Sequence, residues 1–149
     1  MPKIIPQDED PVIIPFDQQQ IERGKLVSFL GVDIRGSAIR NNRKIAPHLR
    51  VTGTTNSGKT ILIRNEMFSN WLAFPNAIGY AIDYKAGIKS APHTKFTADM
   101  VAGVTMLREF LLLAAQNWKT VSDAGFDNWF EYDAAHPGEL PPLFLTIDE

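Results

Sequence analysis

Apolar and polar positions along the 149 residues switch between two periods, and the switches outline an α/β order. Residues 1 to about 20 hold neither period. Their four prolines (Pro2, Pro6, Pro11, Pro15), acids and Gln18-Gln19-Gln20 read as an arm or edge segment, which sets 1–24 apart from a domain over 25–149. Within 25–39 the run LVSFLGVDI meets the turn-forming Asp33-Ile34-Arg35-Gly36 and then SAI, a pattern that predicts a β-hairpin. After Pro47, residues 48–52 (HLRVT) predict a short strand, interrupted at Gly53 by a loop. An apolar-rich helix is expected over 59–73 and stops at Pro75, because proline lacks the amide donor and disfavours helix at the residue before it.

Residues 77–82 predict a second, buried strand that ends at Asp83, with a polar loop over 85–95 behind it. The longest helix comes next, with Thr97 as N-cap and Asp99 in its first turn. Met100, Val104, Leu107, Leu111, Ala114, Trp118 and Val121 step by four and three along one stripe, expected to face the core. Gly125 is its stop. The aromatic tail Phe126, Trp129, Phe130 and Tyr132 is expected to pack locally. Turn signals at His136-Pro137-Gly138 and Pro141-Pro142 then lead into an apolar strand over 143–147. Strand, helix, strand, helix, strand is the α/β order, in which helical crossovers force parallel strands and cover the sheet on its faces.

Composition narrows the chemistry. With 44% hydrophobic and 21% charged residues, the chain matches a globular domain with one core. A net charge of -2 excludes a surface that is basic all over, while leaving room for a local basic strip. Arg35, Arg40, Arg43, Lys44 and Arg50 form such a strip, expected as a solvated face. The absence of cysteine excludes disulfides, thiolate metal sites and a cysteine nucleophile, and suits the cytoplasm. His48, His93 and His136 are too scattered to suggest a metal site. The N-terminal decapeptide lacks the basic-then-apolar order of a secretory leader, and apolar runs fall short of the roughly 20 residues of a membrane span. Any work at the inner face of a membrane would then depend on other segments or partners.

Gly53-Thr54-Thr55-Asn56-Ser57-Gly58-Lys59-Thr60 carries the strongest chemical signal, a G-x-x-x-x-G-K-T pattern between a predicted strand and a predicted helix. Its glycines let the backbone curl so that successive amides point at phosphate oxygens. Lys59 supplies a compact positive charge to the terminal phosphates, Thr60 offers a hydroxyl to magnesium, and the following helix adds its dipole. A second half lies at Asp148 and Glu149, delivered by the strand over 143–147 at the strand end where open parallel sheets bind ligands. In an ATPase of this build, Asp148 holds magnesium, largely through water, and Glu149 orients and activates the attacking water. Asp83 and Lys85 close the middle strand, and the same sheet-end argument places them near the nucleotide or a subunit boundary. The guanine-reading N-K-x-D motif is absent from the sequence, which favours ATP over GTP.

These residues resemble the FtsK/SpoIIIE DNA translocases, within the hexameric RecA-like motors. Leu30-Gly31-Val32-Asp33-Ile34-Arg35-Gly36 looks like the family's leading L-G-x-D-x-x-G hairpin, and Ala46-Pro47-His48-Leu49-Arg50-Val51-Thr52 with the phosphate loop is close to its proline-histidine-leucine strand. Ile82-Asp83-Tyr84-Lys85 resembles its I-D-P-K strand end, and Leu107-Arg108 through Gly125, Asn128 and Tyr132 resembles its long helix and glycine/asparagine turn. The likeness spans about residues 25–149. It departs at Asn56, where the family has glycine, at Tyr84, where it has proline, and at 113–118 (LAAQNW), where it has an arginine-rich stretch.

The resemblance implies a RecA-like P-loop core that binds ATP with Mg2+ and, in a homo-hexameric ring, moves double-stranded DNA in chromosome segregation or conjugative transfer. Two other outcomes fit the same residues: a secretion motor that moves protein, or a nucleotide-binding chain without turnover. In the family, the strands after the Glu149 position bring a sensing residue, an arginine finger and DNA-gripping pore loops. This chain is therefore expected to be a partial ATPase domain with inefficient turnover by itself.

Overall fold

The computed structural model describes residues 21–33, 35–54, 56–88 and 92–148; the proline-rich start, Thr55 and Glu149 lie outside the described residues. Strands β1 (Val27–Val32) and β2 (Ala38–Asn42) form the expected antiparallel hairpin. Asp33 closes its turn: one carboxylate oxygen accepts from the amides of Arg35 at 2.8 Å and Ser37 at 2.9 Å. Such local capture of backbone donors is why aspartate marks turns.

Helix α1 (Lys59–Ala73) and strand β3 (Ile78–Asp83) follow the expected bounds closely. β3 is the middle strand of a three-stranded parallel sheet in the order β4-β3-β5, with β5 over Leu143–Asp148. The chain therefore has the mixed α/β architecture that its patterning predicts, a parallel sheet flanked by helices. Tyr80, Ala81, Ile82 and Asp83 are all buried, because β3 has a neighbour on each side and helices against it. One cluster gathers Met67 of α1, Ala81 and Ile88, with Ile63 and Phe96 beside it. A second gathers Ala73, Phe74 and Ala77 with Leu26, Trp129 and Phe144.

Four expectations change. The strand expected over 48–52 has no ladder; Pro47 to Val51 instead face the outer edge of β5 across a cavity of about 300 Å³. An extended segment becomes a strand only when a partner lies about 4.8 Å away, and this gap is wider. Conversely, the polar loop expected over 85–95 ends two residues early, at a short strand the pattern did not predict, β4 (Thr94–Thr97), created by parallel pairing with Gly79 to Ile82. Four residues are too few to display a period, so tertiary pairing alone makes this strand.

Helix α2 (Met100–Asp123) is capped by Asp99, whose Oδ1 accepts from the Ala102 amide at 2.7 Å. Thr97 belongs to β4 and accepts from the Asp99 amide. The stripe expected to face the core is mostly outside: Met100, Val104, Leu111 and Trp118 are exposed, and only Val121 is fully buried. The inward line runs instead through Gly103, Phe110 and Val121, where Phe110 meets Tyr80 edge to ring at 5.5 Å. LREFLLLAA is apolar on more than one side, so periodicity alone does not orient it. Lys95 of β4 ties the helix down by donating to Glu109 at 2.8 Å, which holds the ammonium pKa above its usual value.

The aromatic tail does pack locally, and within it lies a helix the pattern did not predict, α3 (Trp129–Ala135). Asn128 caps it reciprocally: its Oδ1 accepts from the Glu131 amide and its Nδ2 donates to Glu131 Oε1. That N-x-x-E spacing was the available signal. Among the described residues, no helix is long and apolar enough to cross a membrane.

Hairpin and helix are joined by one largely buried ion pair, Arg43 to Glu66. Arg43 also donates to the Pro47 carbonyl at 2.9 Å, so it belongs to the fold rather than to a free basic strip. Removing one partner strands a buried charge, so Glu66→Ala should cost about 3 kcal/mol in chemical denaturation. Arg43→Ala with Glu66→Ala should cost less than the sum of the two single changes.

Candidate phosphate-binding site

Chain leaving the extended segment at Thr52 has to reverse into α1 within a few residues. Two left-handed residues achieve this: Asn56 with φ 63° and Gly58 with φ 86°. Glycine enters that region freely, and asparagine is among the few side chains that tolerate it. The departure at Asn56 from the glycine of the resembling family thus preserves the backbone shape. At the loop's start, a Cβ on Gly53 would collide with the Ser57 hydroxyl and stand 3.2 Å from its Cβ. A side chain at 53 would oblige Ser57 to turn aside, which glycine avoids.

Thr54, Asn56, Ser57, Gly58, Lys59 and Thr60 line one cavity of about 310 Å³. Lys59 Nζ donates to the Gly53 carbonyl at 3.0 Å, bending the cation back over the loop. Gly58 has no side chain with which to cap α1, so the first amides of a 15-residue helix meet the loop rather than a carboxylate. Helix-start amides, a helix dipole and a lysine ammonium together suit an anion.

The sheet end supplies the acids. Asp83 and Asp148 are direct partners across the parallel β3 and β5 ladder, so their side chains leave the same face at the same level. Asp83 is 1% exposed, and its Oδ1 and Oδ2 accept from the amides of Lys85 at 2.9 Å and Ile88 at 2.6 Å. The turn it holds reaches α1: the position of a Cβ on Gly87 lies 3.6 Å from Asp83 Oδ2 and 3.9 Å from Thr60 Oγ1. Asp83 therefore points to the Thr60 side, and Asp148 emerges on that side with it. Among the described residues no group of three or more His, Cys, Asp or Glu could hold a metal ion.

Of the residues singled out from sequence, Gly53, Thr54, Asn56, Ser57, Gly58, Lys59 and Thr60 come together in the loop, and Asp148 lies at the matching sheet end. Thr55 and Glu149 lie outside the described residues. Arg64 was not singled out. It donates to the Gly87 carbonyl, and its only sequence signal is its place four residues after Thr60 on the same helix face.

No family profile matches the chain, and neither does any curated protein. Among solved structures, the fold matches that of TcpA, the conjugation coupling protein of pCW3, in its monomer form with ATPγS. The TM-score is 0.75 at 23% identity, over 94% of this chain and 40% of that one. The chain thus spans well under half the length of that structure.

The left-handed loop residues give a stability test. Asn56→Gly should stay within about 1 kcal/mol of the parent, whereas Asn56→Val should lose roughly 1–2 kcal/mol, both read from denaturation midpoints.

Proposed function

We propose that this chain is the nucleotide-binding core of an ATP-driven motor that transfers DNA. The observation that carries it is the loop over 53–60, whose backbone curls through Asn56 and Gly58 onto the uncapped start of α1 with Lys59 folded over it. A triphosphate tail is the ligand class that such a cradle suits. Likeness of fold to a conjugation coupling protein solved with an ATP analogue supports ATP as the nucleotide and DNA as the cargo.

The donor set also suits magnesium, which prefers a few hard oxygen ligands and keeps several waters. Thr60 and Asp148 would hold it, and when bound it would neutralise charge on the terminal phosphates. Lys59 binds those phosphates, and the loop amides orient them for in-line attack. Glu149, next along the chain from Asp148, takes the role of orienting and activating water. In this reading a homo-hexameric ring places a neighbour's positive charge against the phosphates.

Lys59→Ala should weaken binding of a non-hydrolysable ATP analogue about tenfold or more, with the circular dichroism spectrum unchanged. Unaltered affinity in calorimetry would remove the loop from nucleotide binding. In the full gene product, Glu149→Gln should still bind ATP and hydrolyse it slowly, and duplex DNA should accelerate hydrolysis by the parent. A rate that is flat over duplex concentration, with ATP binding intact, would point to another cargo.

A further inference from the structure

The turn over 84–88 is held more firmly than a connecting loop requires. Asp83 occupies both carboxylate oxygens on it, through the amides of Lys85 and Ile88. Ile88 is 1% exposed and anchors the turn in the cluster with Met67 and Ala81. From α1, Arg64 donates to the Gly87 carbonyl. On the far side, Tyr84 leans on α2, where a Cβ on Gly103 would stand 3.2 Å from the tyrosine hydroxyl.

Of these restraints Arg64 acts on Gly87 directly and Asp83 Oδ2 lies beside it, and Gly87 is the turn's neighbour to Thr60. The point where a Gly87 Cβ would stand is 3.6 Å from Thr60 Cγ2 and 3.9 Å from its hydroxyl. Thr60 and Arg64 are four residues apart on α1 and share one face. The turn therefore lies along the Thr60–Arg64 face of the helix that follows the phosphate loop. With each oxygen accepting one amide of the turn, the Asp83 carboxylate acts by placing the turn.

We infer that Asp83 is a positioning residue for the magnesium side of the nucleotide site, acting through the 84–88 turn and Gly87 to set the Thr60 side chain. This deepens the function proposed above and rests on it. The expected signature is a split: Asp83 affects the gain in nucleotide affinity that magnesium brings, and leaves the contact of phosphate with the loop amides untouched. Groups that orient a metal's ligands without touching the metal change its affinity roughly 10- to 100-fold when lost.

The experiment is calorimetric titration of a non-hydrolysable ATP analogue with excess magnesium and again with EDTA, on the parent chain, Asp83→Asn, Arg64→Met and Thr60→Val. Asp83→Asn replaces one accepting oxygen by a donor that faces an amide hydrogen. It should lose about tenfold of the magnesium-dependent gain, with EDTA affinity unchanged within about twofold, a coupling loss rather than a binding loss. Thr60→Val should show the same split. Arg64→Met, which removes the other clamp on Gly87 and keeps the aliphatic stem, should show it too and decides the matter if Asp83→Asn does not fold. Equal losses with magnesium and EDTA, or an unchanged magnesium gain in folded variants, would overturn the inference. A parent chain that binds in neither condition would overturn nucleotide binding itself, and this inference with it.

Discussion

Where β3 ends, the amides of the following turn and a buried carboxylate satisfy each other, and the geometry of the site depends on that exchange. A strand that stops inside a core leaves donors without ladder partners, and an unpaired buried donor costs free energy comparable to a lost hydrogen bond. An unpaired buried carboxylate costs more. Asp83 resolves both, with each oxygen taking one amide of the following turn. Because Asp148 sits opposite Asp83 in the ladder, and because Gly87 lies beside Thr60, this one arrangement relates the acidic sheet end to the start of α1.

A second tie sets the other approach to the loop. The segment over 47–52 has no ladder to hold it. Arg43 takes over part of that task by donating at once to Glu66 on α1 and to the Pro47 carbonyl. The ion pair is therefore less a stabilising contact in its own right than a fixed point between hairpin, extended segment and helix. On α1 the pair accounts for a buried Glu66, while Ile61 and Phe68 stay exposed, so apolar spacing alone does not decide the helix's inward face.

Several elements were legible because their signals are local. The turn at Asp33, the stop at Pro75, the left-handed Gly125 and the G-x-x-x-x-G-K-T loop each depend on a residue's own backbone preference or hydrogen-bonding reach. The face of α2 was not, because its middle is apolar on more than one side. Only contact with Tyr80, and close approach of Gly103 to Ile82 and Tyr84, selects the inward line. Strand β4 and the unladdered 48–52 segment err in opposite directions for one reason: pairing belongs to two segments, and a single run of residues displays only half of it.

By itself, the sequence determined the hairpin and its turn, the bounds of α1 and β3, the stop of α2 and the place of the G-x-x-x-x-G-K-T loop ahead of α1, since each follows from short-range stereochemistry. The tertiary structure alone decided that Asp83 faces Thr60, that Arg64 clamps Gly87 and that Arg43 is spent on Glu66 and Pro47. The meetings of Asp83 with Thr60, Arg64 with Gly87 and Arg43 with Glu66 each join residues 23 positions apart, and the chain's local preferences carry no record of which distant group will arrive.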